Sequence, residues 1–150
     1  MASYYFDTSS LVKAYLREDG SDVIIGLVDN LSGGRISILE ITLLEAQSTV
    51  RRHEREGSIS GRAANRILER IDEDAVSSYI VKPFDALVIE EAIRVLDTHP
   101  LKTLDALQLA GCLMIGRSMS EPLTFVCADT RLNDAARLEG LVTLNPLNVR

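Results

Sequence analysis

Two short apolar runs in this chain each lead into an aspartate, and they limit the fold more than any other feature. Tyr4-Tyr5-Phe6 leads into Asp7, and Leu123 to Ala128 leads into Asp129. The second run is almost free of polar side chains, the pattern of a strand covered on both faces. Such a strand belongs to a parallel sheet held between two helical layers.

The rest of the chain alternates in the same sense. Residues 3 to 7 read as a short buried strand. Ser9 or Ser10 is placed to cap a helix with Leu11, Val12, Tyr15 and Leu16 on one side. Asp22 to Leu31 reads as a second helix, stopped at Gly33-Gly34. Arg35 to Leu39 alternates polar and apolar residues, as a strand does. A long helix from Ile41 to Glu56 follows, with Ile41, Leu44 and Val50 in its apolar stripe and Gly57 at its end. Ser60 caps a helix reaching about Asp74, Ser78 to Val81 reads as a strand, and Ala86 to Leu96 reads as a helix broken at His99-Pro100. Thr103 caps the next helix, and Thr130 caps one over Leu132 to Leu138, ended by Gly140. Leu141 to Leu144 is a last strand. The expected fold is α/β, with three layers and a central, mostly parallel sheet carrying helices on both faces. With no linker, repeat or low-complexity stretch, residues 1–150 read as a single domain.

Composition narrows the class. The hydrophobic fraction is 46%, enough for a real core. No apolar run reaches the roughly 18 residues of a membrane span, and no signal-peptide pattern opens the chain. The two cysteines, Cys112 and Cys127, fall in a helical and a strand pattern and read as buried and reduced, which points to the cytoplasm. The formal net charge of -6 runs against the basic surface common in nucleic-acid binders. The basic residues are nevertheless uneven. Arg51, Arg52 and Arg55 cluster, and Arg62, Arg66 and Arg70 follow at helical spacing; they read equally as a basic rim or as a solvated helix face.

Four carboxylates stand where such a fold gathers its ligands. Asp7 and Asp129 end strands, while Glu45 and Asp105 lie near helix starts. Strand ends and helix starts alternate on one rim of a parallel sheet, the rim where open α/β proteins bind ligands. Four clustered carboxylates do not all stay ionised without a cation among them, and an all-oxygen set suits Mg²⁺ or Mn²⁺. Pockets of this kind serve phosphate chemistry. Singly, each acid has a plainer reading: Asp7 and Asp129 as helix caps, Asp105 as a first-turn residue favoured by the helix dipole, Glu45 as a solvated side chain. Glu40, at a strand-to-helix junction, competes with Glu45. Asp134 reads as a solvated helix residue.

Other chemistries fit poorly. No Gly-rich phosphate loop is present, and no nucleophile elbow. His53 stands among Arg and Glu, and His99 precedes a proline in a turn; both read as structural or surface residues.

Four segments, in order, resemble the motifs of PIN-domain ribonucleases. They are Tyr5-Phe6-Asp7-Thr8-Ser9-Ser10-Leu11-Val12-Lys13, Ile41-Thr42-Leu43-Leu44-Glu45-Ala46 with Arg51-Arg52, Leu101 to Ala110 around Asp105, and Phe125-Val126-Cys127-Ala128-Asp129 with Leu132 and Ala135-Ala136. The small size and the Asp7 motif are similar to the VapC toxins of toxin–antitoxin pairs. The resemblance implies a PIN-like fold and a Mg²⁺- or Mn²⁺-dependent endoribonuclease. Asp7, Glu45, Asp105 and Asp129 would hold the metal, and Thr8 or Ser9 would add a hydroxyl. Water would attack an RNA phosphodiester in line. It further implies a homodimer and an antitoxin that covers the site. Lys102, Arg51 and Arg52 are candidate RNA contacts by position and charge. Gln108 stands where many members carry histidine, and Cys127 where threonine or serine is common. Two other readings stay open. One is a PIN-like module that binds RNA or a partner without cutting. The other is a phosphatase using Asp7, although Ser9 stands where such enzymes place a second aspartate.

Overall fold

Tyr5 and Phe6 are neighbours on one strand, so their side chains point to opposite faces. Both are fully buried. That pair of facts marks the middle of a three-layer fold, which the computed structural model describes over residues 2–148. Five strands, β1 (Ser3–Phe6), β2 (Ile36–Leu39), β3 (Tyr79–Lys82), β4 (Leu123–Val126) and β5 (Val142–Leu144), form one sheet in the order β3-β2-β1-β4-β5. Every pairing is parallel, so the expected mostly parallel sheet is wholly parallel.

The helices divide between the faces as the strand residues do. Phe6, Ile36, Ile38 and Val126 pack with α1 (Thr8–Lys13), α2 (Ser21–Asp29), α3 (Ile41–Arg55) and α4 (Gly61–Ser77). Tyr5, Leu39, Leu123 and Phe125 pack with α5 (Ala86–Thr98), α6 (Thr103–Ser118) and α7 (Thr130–Leu138). Tyr5 and Phe125 stack with centroids 5.7 Å apart. α6 is the inner helix of its layer, with an unbroken buried run from Ala106 to Leu113. Its Gly111 is required for close approach: a Cβ there would meet the Tyr5 hydroxyl at 2.9 Å and Leu39 at 3.3 Å.

The chain leaves β1 towards α1 on one face and leaves β4 towards α7 on the other. The crevice between their carboxyl ends is the switch point of the sheet, where open α/β folds bind ligands.

Several local expectations are corrected. Ser9 and Ser10 do not cap α1; Asp7 does, accepting from the Ser10 backbone N–H at 3.0 Å. Asp129 rather than Thr130 caps α7, accepting from Leu132 N at 2.9 Å. In both places the aspartate keeps extended dihedrals and has a side-chain oxygen within reach of a first-turn N–H. Thr103 is the first residue of α6, and Lys102 holds the cap position with no side-chain bond. α1 stops at Lys13, so Tyr15 and Leu16 pack from the following turn. Leu44 is 69% exposed, and the buried stripe of α3 is Thr42, Ala46 and Val50 instead. All four residues of β2 are buried, Ser37 included, because helices cover both of its faces. Ser60 caps α4 as expected. Gly57 and Gly140 follow their helices in the left-handed region, φ 79° and 90°. Both cysteines are buried and unpaired. Among the described residues, no helix is long and apolar enough to cross a membrane.

Candidate active site

The switch point brings the four predicted acids to one place. Asp7, Glu45, Asp105 and Asp129 line a cavity of about 220 Å³ together with Thr8, Ser9, Leu104 and Gln108. Each acid arrives on a different element. Asp7 extends β1, whose ladder continues through Asp7 N to Val126 O at 3.3 Å. Asp129 follows β4. Glu45 stands in the second turn of α3 and Asp105 in the first turn of α6. Glu40 lies outside this cavity, exposed at the start of α3, with its Oε1 3.4 Å from Phe84 N.

Neighbours fix two of the carboxylates. Asp7 is 6% exposed; its Oδ1 accepts from the Ser9 hydroxyl at 2.7 Å and from Ser10 N. Ser9 also accepts from Ala128 N at 3.2 Å, tying β1 to β4 across the crevice. Glu45 Oε1 accepts from the Thr8 hydroxyl at 2.8 Å and from Gln108 Nε2 at 3.1 Å. The two hydroxyls expected to support the site therefore orient the acids. The Cys127 sulfur accepts from Asp129 N at 3.3 Å, and burial raises its thiol far above the usual cysteine range. It is a buried neutral group beside Asp7, not a nucleophile.

Burial acts on two of the acids, and neighbouring charge on one of them. Burial raises the Asp7 carboxyl above its usual range, against the pull of the Ser9, Cys127 and Ser10 hydrogen bonds. Burial also raises Asp105, the charges of Asp129 and Glu45 add to this, and Lys102 opposes it. Among the described residues, no three His, Cys, Asp or Glu side chains converge on a single ion-sized point; the acids ring the cavity. The donor set nevertheless fits a hard cation. It offers carboxylate and hydroxyl oxygens with no imidazole, and Mg²⁺ keeps several waters while taking only one or two carboxylates directly.

A second cavity, about 410 Å³, adjoins the first through Asp105 and Asp129 and is lined by Lys102, Thr130 and Arg131. In the sequence, the one signal for Arg131 is its position two residues past Asp129. Arg51 bonds Glu54 at 2.8 Å and Asn65 at 3.0 Å, and neither it nor Arg52 lines the acidic cavity. Arg62 and Arg66 are exposed, and Arg70 stacks over Tyr15 away from the site. His99 is buried against Glu139 at 2.8 Å, a structural role. His53 meets Ser58, and Asp134 is exposed and pairs with Arg137.

An all-parallel sheet with an oxygen-lined acidic cavity at its switch point defines a class: an α/β domain with a cavity suited to a hard cation. Within that class the chain belongs to the PIN domain family, whose model matches residues 4–138. A search of curated proteins finds no match. Among solved structures, FitAcB from Neisseria gonorrhoeae is similar at 18% identity and TM-score 0.68, covering 97% of this chain and 99% of that one. VapBC2 from Rickettsia felis bound to a DNA fragment from their promoter is similar at 16% identity and TM-score 0.66, covering 95% and 97%. A toxin-antitoxin complex from Klebsiella pneumoniae is similar at 18% identity and TM-score 0.65, covering 98% and 100%. At these identities the likeness establishes the fold.

Proposed function

We propose that this protein is a Mg²⁺- or Mn²⁺-dependent endoribonuclease and the toxin of a toxin–antitoxin pair. The observation that carries the reading is the meeting of Asp7, Glu45, Asp105 and Asp129 with two hydroxyls at the switch point of a PIN-domain sheet. When bound, a divalent cation there supplies charge neutralisation at the phosphoryl group and a lowered pKa for the attacking water. Asp7, Glu45, Asp105 and Asp129 would hold it. The chain's own part is orientation: Ser9 and Ser10 N fix Asp7, and Thr8 and Gln108 fix Glu45.

Lys102 and Arg131 line the adjoining cavity, and among the described residues neither has an ion-pair partner. They offer charge to the RNA backbone just outside the acids. Arg52 is seven residues past Glu45 on α3, about 10 Å along the helix axis, where a longer strand would pass it and Arg51. Exposed Ile89, Ile93 and Leu96 form a stripe on α5 of the kind a second copy covers in a homodimer. An antitoxin would cover the acidic cavity. Two buried free thiols agree with work in the reducing cytoplasm.

Purified, antitoxin-free protein with Mn²⁺ is expected to cleave members of a panel of structured RNAs, and Asp105→Asn to abolish the cleavage. A panel left intact by the parent would favour the non-cutting module instead.

A further inference from the structure

Among the described residues, Gln108 is the one buried uncharged polar side chain that lines the acidic cavity. It lies three residues after Asp105, on the same face of α6, and is 3% exposed. Its Nε2 lies 2.8 Å from Thr42 Oγ1, 3.1 Å from Glu45 Oε1 and 3.2 Å from Thr8 Oγ1, so two N–H bonds serve three oxygens. Its Oε1 accepts from the Tyr5 hydroxyl at 2.7 Å. Tyr5 is fully buried, and its neutral phenol donates that bond. The amide's orientation is set at its other end, because the flipped amide would set its oxygen against the Glu45 carboxylate oxygen; in that orientation Oε1 takes the Tyr5 hydrogen. Glu45 Oε1 is thus held by two donors, while among the described residues no hydrogen bond reaches Oε2.

We propose that Gln108 is a positioning residue. Bonded to Tyr5, it holds Glu45 through Oε1 so that Oε2 is presented to a divalent cation. The proposal rests on the reading of Glu45 as a cation ligand. It gives Tyr5 a role although it is sealed in the core and touches no ligand. It also gives Gly111 one: a methyl group at that position would press on the Tyr5 hydroxyl.

The test uses Gln108→Leu, Gln108→His and Tyr5→Phe, with folding checked by circular dichroism. Mn²⁺ titration by calorimetry is expected to show Gln108→Leu binding about tenfold or more weaker than the parent, as for outer-shell partners of metal ligands. Tyr5→Phe is expected to weaken binding in the same direction but less. Gln108→His, whose imidazole N–H reaches a similar place, is expected to recover most of the loss. A folded Gln108→Leu that binds Mn²⁺ within about twofold of the parent, or a His variant no better than Leu, would overturn the role. Crystal structures of parent and Gln108→Leu without metal separate the two layers of the argument. Glu45 should leave Thr8 in the variant; an unmoved Glu45 carboxylate would overturn the positioning claim. A parent that takes up no Mn²⁺ would sink the cation reading of Glu45, and the crystal structures would still decide whether Gln108 holds it.

Discussion

Asp7 does two jobs that a pair of substitutions separates. Its Oδ1 caps α1 through Ser10 N and anchors the Ser9 hydroxyl. Its charge, almost sealed from solvent, faces the acidic cavity. Asparagine keeps an oxygen in the same place and caps about as well as aspartate; alanine keeps neither oxygen nor charge. Asp7→Ala therefore loses a cap, about 1 kcal/mol. It also leaves the Ser9 donor unmet in a part-buried setting, about 1 kcal/mol more. Both variants lose the buried charge, so in a chain of 150 residues this difference of about 2 kcal/mol places the alanine variant's melting midpoint roughly 4–8 °C below the asparagine variant's. Asp7→Asn removes a carboxylate that burial penalises, so in EDTA at neutral pH its midpoint should equal or exceed the parent's. Both variants should lose RNA cleavage alike, by more than about a hundredfold, the upper range for outer-shell partners. Thermal melts in EDTA, paired with single-turnover cleavage of a labelled RNA, read both effects. An asparagine variant that melts as low as alanine would refute the capping argument. One that cleaves like the parent would remove Asp7 from the cation site.

Three further predictions follow from the same geometry. Burial holds the Asp7 and Asp105 carboxyls above the ordinary aspartate value of 3.8 in the folded protein, so the folded state takes up protons before the unfolded chain does. In EDTA the parent should gain stability as pH falls through those raised values towards 3.8, and an Asp7→Asn/Asp105→Asn double variant should not. Glu91 and Glu139 are lowered by their arginine partners and lose stability at acid pH in both proteins. The difference between urea curves isolates the site, and parallel curves would defeat the argument. Lys102→Ala and Arg131→Ala should each weaken RNA binding and flatten the log-affinity against log-salt slope by about 0.7, measured by fluorescence anisotropy; an unchanged slope would exclude a phosphate contact. Glu45→Gln should abolish Mn²⁺-dependent cleavage while Glu40→Gln keeps the parental rate, and the reverse result would exchange their roles.

Much of this was legible before the fold was known. Runs such as Leu123–Val126, buried on both faces, announce a parallel sheet, and their terminal aspartates follow directly along the chain. Asp7, Thr8 and Ser9 are contiguous, so one strand end delivers all three. Side-chain direction around a helix was not legible. Leu44 and Glu45 are neighbours in an apolar stretch, yet Leu44 faces solvent and Glu45 the cavity, because α3 buries Thr42, Ala46 and Val50 instead. Arg51 and Arg52 looked close to the acids through Glu45, but the pitch of α3 carries them away, while Lys102 and Arg131 come near through the meeting of α6 and α7.

Local patterning, by itself, determined the element types, the parallel sheet and the four acids, because strand and helix periods and residue chemistry are short-range properties. Strand order, the caps chosen among adjacent candidates, and the chain of contacts from Gly111 through Tyr5 and Gln108 to Glu45 were decided only by the tertiary structure. Those contacts join residues as far as 106 positions apart, Tyr5 to Gly111, and packing two helical layers on one sheet is what brings them within reach.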